Sequence, residues 1–208
     1  QVGADALARG IDHPMVHYTL AQTFARMGCA QKSLEALEAG RESAIRIGLL
    51  APDGETVLLG SGYVGDVGVV TYKWRFAYAR ALRELGRLDE ALPLYERLMQ
   101  ERPNDPIVLL DYGQALLSMG AREQAETVFQ QLATHEGYET LAQQFLAKTW
   151  WEAGDYRRAL PYVRAVAYAL PNQQEWWERW AHAAHETGDA QSLIDAYEFY
   201  AAQGNAPT

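Results

Sequence analysis

The fold of this chain is decided by one stretch of sequence, WRFAYARALRELGRLDEALPLYERLMQERPND, at residues 74–105. Gly86 lies inside this stretch, and glycine readily adopts the positive φ with which a helix ends and the chain turns back. Pro103 ends the following helix, because proline lacks a backbone N–H and clashes with the preceding turn. The stretch therefore predicts two antiparallel helices joined by a short turn.

The same pattern repeats along the chain with a period of 34 residues, since the glycines stand at 86, 120, 154 and 188. Small residues recur seven positions before each glycine, and alanine recurs five positions after three of them. These small residues allow close helix contacts, and large residues between them fill the space: Tyr78, Tyr95, Leu98, Tyr112, Phe129, Leu132, Leu146, Val163, Val166, Trp180, Tyr197 and Tyr200. A period of this length indicates stacked helix pairs.

The pattern resembles the tetratricopeptide repeat family, most closely at 74–105 and in WEAGDYRRALPYVRAVAYALPN at 151–172. The resemblance implies an all-α fold, a right-handed superhelical solenoid of antiparallel helix pairs. The repeats align as 14–47, 72–105, 106–139, 140–173 and 174–208, and residues 1–13 align with the end of a preceding repeat. The first repeat departs from the family at Gly40, where alanine is usual. We expect the chain to be a bacterial-style segment of a longer array.

Residues 48–71 interrupt the period and form an insert rich in glycine. The segments 55–59 and 63–70 contain β-branched residues and flank Gly60-Ser61-Gly62, so they could form a short hairpin or an irregular loop. Its apolar side chains, among them Leu58 and Tyr63, favour packing against another part of the chain. The insert could shape a binding groove or be a tolerated surface insertion.

Composition excludes several classes of function. The 208 residues carry a net charge of -9, which disfavours nucleic acid and anionic membrane surfaces as partners. No apolar run approaches the ~18 residues of a membrane-spanning helix, so we expect no direct membrane insertion. The one cysteine, Cys29, excludes an internal disulfide and a structural zinc site. Neither the cytoplasm nor the periplasm is favoured.

Catalytic motifs are missing from the sequence, which has no phosphate-binding loop with Lys-Ser/Thr, no GxSxG and no HExxH. We therefore expect neither an enzyme nor a cofactor. Glu178, His182 and His185 share one helical face and resemble a metal site, but three ligands on one straight helix rarely converge on one ion. A solvated polar face is the better interpretation.

The resemblance places the binding groove on the first helix of each repeat. The groove positions that it implies are Lys73, Phe76, Arg80, Arg83, Leu110, Gln114, Leu117, Gln144, Lys148 and Trp151, preceded in the first repeat by Met15, Tyr18, Gln22 and Ala25. Lys73, Arg80, Arg83 and Arg87 form a basic helical stripe that could bind carboxylates, because the guanidinium bonds them bidentately. The alternative is a solvated surface whose arginines pair with Glu84 and Glu90.

Two functions follow as expectations. The first is a protein-interaction scaffold that binds a segment of another protein or peptide in the groove, as part of a larger assembly. The alternative is a module of a bacterial polysaccharide synthesis or secretion system, contacting glycan or its machinery. The six tryptophans bear on both, because exposed indole rings anchor protein partners and also stack on sugars. Trp150 and Trp180 fall on packing positions and are predicted to be core residues.

Overall fold

The computed structural model describes residues 10, 12–54, 56–58 and 71–202. Within these ranges the chain forms ten helices, and the described extended segments pair only at a single bridge. The helices are α1 (Pro14–Arg26), α2 (Ala30–Arg46), α3 (Tyr72–Glu84), α4 (Leu88–Glu101), α5 (Pro106–Ser118), α6 (Arg122–Leu132), α7 (Glu139–Glu152), α8 (Tyr156–Ala169), α9 (Gln174–Thr187) and α10 (Ala190–Ala202). The all-α prediction is confirmed. The chain divides into two compact units, residues 1–108 and 109–208.

The predicted turns lie where the repeat places them. Gly86 follows α3 with a φ of 73°, and Gly154 follows α7 with a φ of 71°, so both are in the left-handed region that ends a helix. The two prolines lie just beyond second helices, since α4 ends at Glu101 before Pro103 and α8 ends at Ala169 before Pro171. Glycine and proline thus set the helix boundaries as the sequence predicts.

Packing within the first unit explains why the first repeat has a glycine at position 40, where alanine is usual. The indole of Trp74, on α3, lies against Gly40, on α2, and a Cβ at position 40 would collide with that ring and with the Cβ of His17. Trp74 is buried, and Leu37, one turn before Gly40, is fully buried. The chain therefore replaces the usual alanine with glycine because the space is taken by a tryptophan from the next repeat.

The second unit buries its large residues in the same register. Trp180 and Phe129 have no exposed surface, and Trp150 is buried as predicted. The Phe129 ring stacks on Phe145 with centroids 4.9 Å apart and lies over Gly113, where a Cβ would come within 2.6 Å of its Cζ. Small residues again let large ones from a neighbouring helix fill the core.

The insert begins with a short antiparallel pairing. Leu50 bridges to Val57, with the Ala51 amide donating to the Thr56 carbonyl at 2.8 Å and the Leu58 amide donating to the Leu49 carbonyl at 2.8 Å. Leu49 and Leu50 are buried against Ala44, whereas Leu58, predicted to be packed, is exposed. The segment around 60–62, for which a hairpin and an irregular loop were the alternatives, lies outside the described residues.

Candidate functional site

The first helices of the two repeats in residues 1–108 border an open cleft of about 400 Å³. Tyr18 and Phe76 contribute aromatic rings, and Arg26 and Arg80 contribute guanidinium groups. The remaining lining residues are mostly small: Ala21, Gln22, Ala25, Ser33, Ala77, Ala81 and Glu84. The cleft thus combines apolar walls with a charged rim, a combination that suits a ligand with an apolar part and a polar part.

Electrostatics at the rim favour an anionic ligand. Arg80 is exposed, and its Nε lies 3.5 Å from an Oε atom of Glu84 one turn further along α3. An exposed pair of this kind is weak, worth roughly 0.2–1 kcal/mol, so a ligand carboxylate can compete for the guanidinium. Arg26 and Arg80 give the lining two cationic groups against the single carboxylate of Glu84.

Arg87, the last member of the predicted basic stripe, binds a glutamate and is not among the residues that line the cleft. Its Nε and one Nη atom each donate to a carboxylate oxygen of Glu90 at 2.7 Å. This bidentate bond raises the pKa of Arg87 and lowers the pKa of Glu90. Pairing with a neighbouring glutamate, which the sequence allowed as the alternative, is therefore what the structure shows at this position.

The structure brings only part of the predicted groove of α3 into the cleft. Phe76 and Arg80 line it together with Tyr18 and Gln22 of the first repeat. Lys73 is exposed and Arg83 is half-buried on the same helix, but neither is among the lining residues.

Six lining residues lie outside the predicted groove positions: Ala21, Arg26, Ser33, Ala77, Ala81 and Glu84. The repeat pattern could have indicated Arg26, because it follows the groove position Ala25 directly. Ala77 and Ala81 line the cleft together with small residues of α1. A local sequence pattern does not show which residues of two helices border the same cleft.

In the second unit, the predicted residues lie on α5 and α7. Leu110, Gln114, Leu117 and Gln144 are half-buried. Lys148 is exposed, with its Nζ 3.7 Å from Glu152 Oε1. Predicted groove positions therefore lie in both units, for example Arg80 in the first and Lys148 in the second.

Trp151 stands at the centre of a ring cluster. Its indole lies 5.1 Å from the Tyr156 ring and 5.3 Å from the His182 ring, measured between centroids. The Arg179 guanidinium lies over two indoles, 5.4 Å from the centroid of Trp151 and 5.0 Å from that of Trp176. Trp151 is half-buried, so cation–π and ring contacts cover part of its indole while the rest of its surface stays accessible.

The polar face on α9 borders a second open cavity of about 340 Å³. Glu178, His182 and His185 line it with Trp177 and Tyr197. In the described residues, no group of three or more histidine, cysteine, aspartate or glutamate side chains is arranged to hold a metal ion. None of the described helices is long and apolar enough to cross a membrane.

Comparison with known proteins connects these features to a family. Residues 82–149 match the tetratricopeptide repeat family. A Vi polysaccharide export protein of Salmonella typhi, VexE, is 27% identical over 180 residues, which are 84% of this chain but 24% of that protein. The chain thus spans about a quarter of the length of that relative.

Several solved structures share the fold. MamA of Desulfovibrio magneticus is 12% identical, with a TM-score of 0.64 over 94% of this chain and 95% of that one. A putative kinesin light chain with repeats of this kind, from Podospora anserina, is 18% identical, with a TM-score of 0.58 over 92% of this chain and 96% of that one. Residues 82–149 therefore match the tetratricopeptide repeat family in sequence, and the described helices share the fold of these solved structures.

Proposed function

We propose that this chain is a non-catalytic scaffold that binds a segment of a partner protein on the first helices of its repeats. The cleft between α1 and α3 is the observation that carries the proposal, because it is open, partly apolar and cationic at its rim. Its volume falls in the range of ~300–1,000 Å³ typical of ligand sites. Tetratricopeptide repeats supply this kind of surface in other proteins, which supports the assignment.

The chemistry of the cleft defines the segment that it would accept. Arg26 and Arg80 suit carboxylates, since a guanidinium can donate two parallel hydrogen bonds to one carboxylate group. Phe76 and Tyr18 suit apolar side chains between those carboxylates. We propose corresponding contacts for the other predicted positions: Lys73, Arg83, Leu110, Gln114, Leu117, Gln144, Lys148 and Trp151.

Charge reversal tests this proposal. Affinity capture from a lysate of the source organism is expected to lose its protein partner, by about tenfold or more, when Arg26→Glu and Arg80→Glu are combined. The matched control is Arg122→Glu with Arg164→Glu, which changes the net charge equally at exposed positions outside the cleft. Capture by the wild type should also weaken as NaCl rises, because exposed ion pairs are screened. Equal capture by both double variants would contradict the proposal.

A second candidate function is a module of a polysaccharide export system. It is supported by the 27% identity to the Vi polysaccharide export protein and by the partly accessible rings around Trp151. In the same capture experiment, this function predicts a glycan that is retained at high salt and by the charge-reversed variant. That glycan should be lost from Trp151→Ala, because stacking on an indole face does not depend on ionic strength.

A further inference from the structure

A small pocket of about 110 Å³ lies where the beginning of the insert meets the helices of the first two repeats. We call it the insert pocket. The residues that give it its chemical character are Arg41 of α2, Leu50 and Gly54 of the insert, Trp74 and Arg75 of α3 and Leu94 of α4. None of these residues lines the cleft between α1 and α3, so the insert pocket is a separate site on another face of α3.

The charged side chains that line the insert pocket are two arginines, and the described lining residues include no aspartate or glutamate. Only 13% of the Arg75 side chain is exposed, and its Nη1 contacts Oε1 of Glu101. The Nε of Arg97 lies 3.5 Å from the same oxygen, so one carboxylate serves two guanidinium groups. The pocket therefore keeps a positive charge that a bound anion would balance.

Arg41 is held in place by the backbone of the insert. Its Nη2 donates to the Asp53 carbonyl at 2.9 Å, and a Cβ at position 54 would collide with Nε, Nη2 and Cζ of the guanidinium. A carbonyl oxygen carries no net charge, so this hydrogen bond positions Arg41 without neutralising it. Within the described part of the chain, Arg41 forms no ion pair with a carboxylate, and its other N–H groups can donate to a ligand.

The other walls of the insert pocket are largely apolar. Leu50 and Trp74 are buried, and Leu94 is half-buried. The Tyr78 hydroxyl, which also borders the pocket, donates to Glu38 at 3.2 Å, so the arginines are the donors left for a ligand. The volume is below the ~300–1,000 Å³ typical of sites for larger ligands, so the pocket accepts only a small molecule.

We propose that the insert pocket binds a small organic carboxylate, with the carboxylate group on the two arginines and a short apolar body against Trp74 and the two leucines. A guanidinium can donate two parallel hydrogen bonds to one carboxylate, which fixes the orientation of the ligand. The apolar walls favour an organic acid over inorganic phosphate, which has no apolar part to bury. This activity goes beyond the proposed function, because it requires neither the cleft nor a partner protein.

Saturation-transfer difference NMR with propionate as the probe tests the proposal, and propionamide is the matched neutral ligand. We expect propionate to bind the wild type with a dissociation constant in the millimolar range, because a ligand of few atoms makes few contacts. Propionamide should bind about tenfold more weakly or less, since it lacks the charge that the guanidinium groups recognise. Inorganic phosphate at the concentration of propionate should leave most of the propionate bound.

Two variants locate the binding in the insert pocket. Arg41→Gln should weaken propionate binding by about tenfold, because it removes one charge-assisted donor group. Arg164→Gln makes the same change at an exposed residue of α8 and should leave the affinity unchanged. Leu94→Trp narrows the pocket from α4 without changing any charge and should abolish binding. The melting temperature of each variant reports whether it is folded.

Several results would overturn the proposal. These are equal affinity for propionate and propionamide, an equal loss in Arg41→Gln and Arg164→Gln, unchanged binding in folded Leu94→Trp, and no saturation transfer to propionate in the wild type. Complete displacement by phosphate would show a site for simple anions and would also overturn it. If both pocket variants had lowered melting temperatures, the amide and phosphate comparisons on the wild type would still decide the question. None of these results bears on the cleft, so the proposed function is tested separately.

Discussion

Trp180→Ala is expected to lower the free energy of unfolding by about 3–5 kcal/mol, the range for removing a large aromatic side chain from a core. The side chain has no exposed surface, and its indole contacts the rings of Tyr168 and Phe199. Its Nε1 donates to the Ser192 hydroxyl at 2.8 Å, so truncation also leaves a buried hydroxyl without that bond. Urea denaturation followed by far-ultraviolet circular dichroism measures the change.

Two variants separate packing from hydrogen bonding in this effect. Trp180→Phe keeps much of the apolar volume and loses the donor, and Ser192→Ala removes the acceptor. We expect each to cost less than Trp180→Ala, with Ser192→Ala at about 1–3 kcal/mol, because it leaves the buried indole N–H of Trp180 without its acceptor. A Trp180→Ala cost below about 1 kcal/mol would show that α9 and α10 do not pack as described.

Phe129→Ala is the second large effect, with an expected loss of about 3–5 kcal/mol. The Phe129 ring is fully buried between Gly113 and the ring of Phe145. Gly113→Ala alone should cost about 1–3 kcal/mol, because the new methyl group collides with the ring. In the Phe129→Ala background that collision is gone, so Gly113→Ala should become neutral or stabilising.

A double-mutant cycle of unfolding free energies measures this coupling. We expect an interaction free energy of about 1–3 kcal/mol, because the cost of the added methyl group depends on the ring. Additive costs of the two substitutions would mean that Phe129 does not lie over Gly113.

The fold could be predicted from the sequence because one pattern recurs along the chain with a 34-residue period. Gly86 and Gly154 mark turns because their positive φ is a local backbone requirement, and Pro103 ends α4 for an equally local reason. Four aligned units then distinguish packing positions, such as Trp180, from exposed ones. The departure at Gly40 could be seen but not explained, because its cause is an indole that arrives from Trp74, 34 residues further along the chain.

The candidate site was predictable only in part. Phe76 and Arg80 follow from their positions in the repeat, since the side chains of a helix face share a regular spacing. The bidentate bond that engages Arg87, and the half-burial of Arg83, depend on rotamers and on the neighbouring helix. The cleft depends on small side chains that line it from two repeats, such as Ala25 and Ala77, and only the structure shows that they border the same space.

The central claim is that a partner segment binds in the cleft between α1 and α3, and photo-crosslinking tests it most directly. A benzophenone amino acid is placed at Gln22, an exposed residue of the cleft, and as a matched control at Glu96, an exposed residue of α4. Crosslinked partner peptides are then identified by mass spectrometry. The account predicts crosslinks from Gln22, absent from Glu96, to one acidic segment of a partner protein. Equal crosslinking from both positions, or none from Gln22 while Glu96 captures the partner, would contradict it.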